Sequence, residues 1–191
     1  MKTIPLIKLQ NKKIIPEHEK LLSNIEEDQT IYVHDLDGIT RNKPDLCVYQ
    51  KISKKYDLWI DSAPRNLGDI VDIFLTGAAS VIIRKKYYPQ INIGKIREIS
   101  ENKIYTTITT IDEDTLYTNS DGLILINSEE QTNLDIQKTD IIKKYANQKE
   151  VFVYEPEIDN INYWLSLSIA GIITDIENYE EAKNWIQKKR S

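Results

Sequence analysis

The stretch Ile31-Tyr32-Val33-His34-Asp35-Leu36-Asp37-Gly38 decides how the rest of the chain is read. A β-branched and aromatic run ends in two carboxylates and a glycine, the pattern of a buried strand that delivers acids to a loop. Outward from it, short apolar runs alternate with helical patterns. Strands are expected at 3–9, 30–36, 58–60, 80–83, 104–111, 122–126, 151–154 and 171–174, and helices at 16–26, 46–54, 67–76, 135–146, 158–167 and 178–189. Pro16 and Pro44 stand where helices would start, and Asp159 and Asn178 are candidate caps. Strands separated by helix-length connections argue for parallel βαβ units.

Eight such strands predict a closed α/β barrel, a reduced (β/α)8 TIM-type fold, in a single domain spanning 1–191. Full-sized barrels of this type run to about 250 residues, and the shortfall can be located. Between strands four and five only a weak helical stretch occurs around 91–99, and between 111 and 122 no amphipathic helix is legible. The helices around strands 4 to 6 are therefore expected to be shortened or missing. A strand stripped of its outer helix must bury apolar side chains elsewhere, which predicts a homodimer formed through this helix-poor flank, the alternative being that the connecting loops fold back and cover it.

Composition narrows the function classes. The chain is 40% hydrophobic and 29% charged with a net charge of −5, ordinary for a water-soluble domain and unlike a nucleic-acid surface. Cys47 is the one cysteine, which excludes an intrachain disulfide and a cysteine metal site and suggests a small buried hydrophobe. Two histidines in different contexts give no metal-ligand spacing. No apolar run reaches the roughly 18 residues of a membrane helix, and no leader pattern precedes the first strand. The expectation is a cytoplasmic protein without metal or cofactor, without nucleic-acid or membrane partners.

The order of segments resembles ProFAR isomerase and its cyclase partner of histidine biosynthesis. Ile4-Pro5-Leu6-Ile7-Lys8-Leu9 is similar to that family's first strand and Asp35-Leu36-Asp37-Gly38 to the end of its second. Leu58-Trp59-Ile60-Asp61-Ser62-Ala63-Pro64-Arg65 stands where the family has an apolar strand, a glycine triplet, one apolar residue and an arginine. Leu67-Gly68-Asp69-Ile70-Val71-Asp72 matches the following helix, and Thr76-Gly77-Ala78-Ala79-Ser80-Val81-Ile82-Ile83 its turn and fourth strand. Asp61, Pro64 and Arg65 also resemble a branch related to ProFAR isomerase found in methanogens and methylotrophs. The resemblance implies a ribulose-phosphate-binding type of barrel and, through that branch, a place in one-carbon cofactor biosynthesis.

The departures are equally informative. The family's isomerase uses aspartates at the ends of its first and fifth strands as acid and base, and the matching positions here are Lys8 and Thr109. Its phosphate-holding glycine turns are replaced by Asp61-Ser62-Ala63, Arg84-Lys85-Lys86, Glu155-Pro156 and Asp175-Ile176. Three of these four carry a carboxylate that repels phosphate. A histidine-pathway isomerase does not fit.

In such a barrel the chemistry sits at the C-terminal ends of the strands, here Lys8, Asp35 with Asp37, Asp61 with Arg65, Arg84 with Lys85, Thr109, Asn127, Glu155 and Asp175. Lys8 shares a strand face with Ile4 and Leu6 and points into the barrel. It is either a desolvated base or Schiff-base amine, or one half of an ion pair with Asp35 or Asp175. Asp35 and Asp37 either orient or deprotonate a ligand or cap the loop at Gly38. The phase of this strand is open, so either Asp35 or His34 reaches the interior. Arg65 and Arg84, with Asp37 and Asp61 nearby, form a candidate anion-binding set or a surface charge cluster.

Two function classes follow. In the first, an isomerase- or lyase-like enzyme acts on a small anionic, phosphorylated sugar-like metabolite, with Lys8 and Asp35 as the reactive pair. In the second, a non-catalytic barrel that has lost its active site binds a ligand or partner.

Overall fold

The computed structural model describes residues 1–108, 119–126 and 134–190, with the side chains of 85, 88, 89, 134–138, 141 and 190 excepted. Thr109, Asn127, the Lys85 side chain and residues 111–118 of the connection expected to be helix-free lie outside the described residues.

The chain runs β1 (Lys2–Gln10), β2 (Lys13–Ile14), α1 (Pro16–Leu22), β3 (Thr30–Asp35), α2 (Leu36–Arg41), α3 (Leu46–Ile52), β4 (Asp57–Asp61), α4 (Leu67–Leu75) and β5 (Ser80–Arg84). It continues through α5 (Ile93–Arg97), β6 (Lys103–Ile108), β7 (Gly122–Leu125), α6 (Leu134–Tyr145), β8 (Glu150–Tyr154), α7 (Ile161–Leu165), β9 (Gly171–Asp175) and α8 (Tyr179–Arg190). The strands β1 and β3 to β9 pair in parallel in that order, and β9 returns to β1, closing the barrel expected from the sequence. Eight parallel strands in a closed ring with intervening helices make a TIM-type α/β barrel.

Alternation along each strand divides the core into an interior and an outer layer. Leu58 and Ile60 of β4, like Ile7 and Leu9 of β1, pack outward under the helices. Trp59, Ile4 and Leu6 point inward with Tyr32, Ile82, Tyr105, Ile124, Phe152 and Ile173. Trp59 stacks on Tyr105 with ring centroids 4.2 Å apart, and Phe152 meets Trp59 edge-on at 4.9 Å. Two glycines make room for these rings. A Cβ at Gly122 would lie 2.7 Å from Tyr105 Cε1, and one at Gly171 would lie 2.8 Å from Phe152 Cε1. A narrow barrel filled by aromatics needs such bare positions opposite them.

The helix-poor flank is only partly as expected. After β5 come a 3-10 segment over Lys85–Gln90 and the five-residue α5, a short crossover. The outward side chains of the neighbouring strands are nonetheless covered within the single chain: Ile104, Ile108, Leu123 and Leu125 are all at most 2% exposed. The bare-strand argument for a homodimer through this flank therefore does not apply to these residues.

Several local features differ from the sequence reading. β1 turns back into the two-residue β2 through Asn11 and Lys12, both with positive φ, a mouth-side hairpin that the first strand alone does not announce. Helix α2 begins directly after β3 in place of a loop. Among the described residues, Asp35, Asn66 and Asn92 cap helix N-termini with their side chains. Asp159 caps no helix, and Asn178 donates instead to the Pro156 carbonyl. Cys47 is exposed on α3 and not a core residue.

Candidate functional site

At the C-terminal rim of the barrel, Lys8 of β1 stands level with His34 of β3, and His34 level with Asp61 of β4. Inward-facing positions at this level alternate with the outward apolar ones that anchor each strand, so polar side chains here face one another across the mouth. A cavity of about 540 Å³ opens between them, lined by Lys8, His34, Arg84 and Tyr154 around a floor that includes Leu6, Tyr32, Ile126 and Ile173. Mixed lining of this kind, apolar below and polar above, suits a small ligand.

The mouth holds two charge pairs. Lys8 Nζ lies 3.2 Å from Asp175 Oδ1, and Tyr154 donates its hydroxyl to Asp175 Oδ2 at 3.1 Å. Asp61 is fully buried and takes three donors: Arg84 Nε at 2.8 Å, Arg84 Nη2 at 2.6 Å and the Tyr32 hydroxyl at 2.7 Å. His34 Nδ1 lies 3.5 Å from Asp61 Oδ2, too far for a strong hydrogen bond. Burial alone would raise the Asp61 carboxyl, but the Arg84 guanidinium and the adjoining His34 hold it well below the usual carboxylate range. Burial works against the charge on Arg84 as well, and Asp61 more than restores it. The Tyr32 hydroxyl is pushed up by burial and then by Asp61, and that of Tyr154 by burial and then by Asp175. Both tyrosines thus stay protonated as donors.

The expected site residues divide between this mouth and its outside. Lys8, Arg84 and Asp61 meet there, and Lys8 adopts the ion pair with Asp175 that was one of its two readings. The β3 phase places His34 inward and Asp35 outward. Asp35 is fully buried beneath α2, where Oδ1 accepts the amides of Asp37 and Gly38 at 3.0 and 2.9 Å. Its Oδ2 accepts the Asp45 amide at 2.9 Å and the Tyr49 hydroxyl. With four donors and no opening to the cavity, Asp35 is a cap and cannot form a reactive pair with Lys8.

Asp37 is also outside the mouth. Its Oδ2 accepts the Asn11 amide at 2.5 Å, and Arg41 lies 3.5 Å from Oδ1, so it fastens the β1–β2 hairpin to α2. Arg65 does not line the cavity; its guanidinium sits 5.1 Å over the Tyr87 ring and reaches the Ile39 carbonyl at 3.4 Å. Tyr32 and Tyr154 are mouth residues the sequence reading did not single out. Strand alternation was the available signal, since each lies two residues from another inward position. Among the described residues no group of three or more His, Cys, Asp or Glu side chains could hold a metal ion, and no helix is long and apolar enough to cross a membrane.

No family model matches the chain, and no curated protein matches it. Among solved structures it is similar to 3-hexulose-6-phosphate synthase from Salmonella typhimurium, with a TM-score of 0.63 and 12% identity over 92% of this chain and 89% of that one. At that identity the likeness speaks for the architecture alone: the chain has the TIM-type barrel fold, arrived at here from its strand pairing and again from this comparison.

Proposed function

We propose that the barrel mouth binds a small, anionic, sugar-like metabolite, most simply a phosphorylated one, and that the chain is a divergent relative of the ProFAR isomerase-like barrels. The observation that carries this reading is the convergence of Lys8 and Arg84 from separate strands on one cavity of about 540 Å³ above an apolar floor. The two cations offer charge-assisted contacts to an anion, while Asp175, Tyr154 and Tyr32 supply hydroxyl- and carboxylate-type partners for a polyol. The structural neighbour is named for a phosphorylated sugar, which supports the same ligand class. The resemblance to the methanogen and methylotroph branch supports a role in one-carbon cofactor biosynthesis. An isomerase or lyase reaction would rest on Lys8 as the group nearest the ligand, and Asp35 takes no part.

A non-catalytic binding barrel is the second reading. It is favoured by the pairing of Lys8 with Asp175 and of Arg84 with Asp61, which leaves neither cation as a free base. Calorimetric titration with ribose 5-phosphate, then with the Lys8→Met variant, tests the site. Binding by the native chain and a loss of about tenfold or more in the variant are expected, since one charge-assisted contact contributes about 1.5–3 kcal/mol. No heat from either protein would end the reading. Binding without any conversion of the sugar phosphate, followed by NMR of the ligand, would select the non-catalytic form.

A further inference from the structure

The mouth has a charge balance that bears on how it takes an anion, an inference that rests on the binding reading above. Among the described residues that line it, β1 brings Lys8, β3 brings His34 and Tyr32, β5 brings Arg84 and β8 brings Tyr154. Asp61 on β4 and Asp175 on β9 lie directly behind Arg84 and Lys8. β6 offers the uncharged Thr107 at the level of Arg84, and the residue after β7 is Ile126. Lys8 and Asp175 cancel, and Arg84 and Asp61 cancel, so with a neutral imidazole the described mouth carries no net charge. The two tyrosines are held protonated and do not alter this sum.

His34 is the remaining group that can change it. Its side chain is 24% exposed, it lines the cavity, and its Nδ1 faces the buried Asp61 carboxylate. That carboxylate favours the tautomer with hydrogen on Nδ1 and leaves the Nε2 lone pair to take up a proton. Among the described residues Nε2 has no partner. Histidine is the side chain whose charge ordinarily changes between about pH 5 and 8.

We propose that the mouth binds its anion together with one proton, taken from solvent onto His34 Nε2. The bound state then has three cationic groups, two protein carboxylates and the ligand's negative charge, and is again neutral. An anion entering the unprotonated mouth would face Asp61 and Asp175 with no net attraction to offset the loss of its hydration. The arrangement selects a monoanion over a dianion, which matches the absence of glycine-rich turns of backbone N–H donors at Asp61-Ser62-Ala63 and Glu155-Pro156.

The test is an NMR titration of both imidazoles in the intact chain, with sodium dimethyl phosphate or with sodium chloride at matched ionic strength. Dimethyl phosphate carries one negative charge and does not itself titrate in this range. His18 is the internal control, because its Nδ1 accepts the Lys8 amide at 2.9 Å and its Nε2 meets Glu177 at 2.8 Å, away from the cavity. The expected result is an upward move of the His34 midpoint by about one pH unit or more, equivalent to tenfold tighter anion binding to the protonated form, with His18 unmoved. In the His34→Gln variant, calorimetric dimethyl phosphate binding should lose its pH dependence. Ligand binding by the native chain with no movement of His34 would overturn the proton coupling and leave the binding site standing. No binding of dimethyl phosphate or ribose 5-phosphate between pH 5.5 and 8 would overturn both.

Discussion

Asp35 and His34 are adjacent in sequence and do unrelated work. His34 faces the cavity, whereas Asp35 faces the outer layer and closes off the backbone donors that begin α2. Removing the Asp35 carboxylate leaves the buried Asp45 amide and the Tyr49 hydroxyl without their acceptor. Burial and the adjacent Asp35 keep that hydroxyl protonated, so it has no alternative to donating. We expect Asp35→Ala to cost about 2 kcal/mol or more, from a lost cap and unsatisfied buried donors, measured as a lower urea midpoint. Its affinity for ribose 5-phosphate should stay within about twofold of the native value, a margin below 0.5 kcal/mol. A large loss of affinity at unchanged stability would return Asp35 to the site.

At the scale of elements, α2 shows how a helix can be pinned by one missing methyl group. Gly38 lies in its first turn, and a Cβ there would stand 2.6 Å from Ser62 Cβ and 3.0 Å from the Ser62 carbonyl oxygen. That contact ties the helix after β3 to the loop after β4, next to the mouth. Helix propensity alone favours alanine over glycine by about 1 kcal/mol. Here packing outweighs propensity, because the obstructing atoms include backbone that cannot swing aside. Gly38→Ala should therefore destabilise by about 1–3 kcal/mol, the usual cost of overpacking, and lower the thermal midpoint. An unchanged or higher midpoint would show that α2 lifts freely from β4.

The whole molecule depends on charges placed inside a barrel otherwise filled by apolar and aromatic rings. Desolvating Asp61 and Arg84 costs free energy that their bidentate contact offsets, so the pair is a poor source of stability but a damaging one to break. Asp61→Asn should leave Arg84 buried without its counter-charge and cost about 3–5 kcal/mol, seen in denaturant unfolding at neutral pH. The sign of the pH effect follows from the lowered folded-state pKa of Asp61 against its ordinary value of 3.8. The contribution is complete above that ordinary value and is lost as pH falls below it toward the folded value. The native chain should thus lose stability steeply on acidification below about pH 4, and Asp61→Asn should show a shallower slope over the same range. Parallel slopes would mean that other carboxylates govern acid unfolding.

How far the sequence speaks for itself can be judged strand by strand. The spacing of apolar runs and helical patterns was sufficient for eight parallel strands and a short crossover after β5, because burial of β-branched residues is a local property of composition. It also placed Lys8 inward, since Ile4 and Leu6 share its face. It could not set the phase of β3. Ile31, Tyr32 and Val33 are buried on both faces of the sheet, so no polar alternation marks which side is the interior. Only the register with β1 and β4 decides that His34 enters the mouth and Asp35 leaves it. Helix α2 was hidden for a related reason: Leu36-Asp37-Gly38 has the composition of a turn, and its helical form depends on capping by Asp35 and on the space beside Ser62. The pairing of Lys8 with Asp175 likewise waits on closure, when the last strand meets the first. The sequence determined by itself the barrel and the polar character of its mouth; the tertiary structure alone decided which charges cancel there, because Coulomb interactions depend on distances that no local pattern encodes.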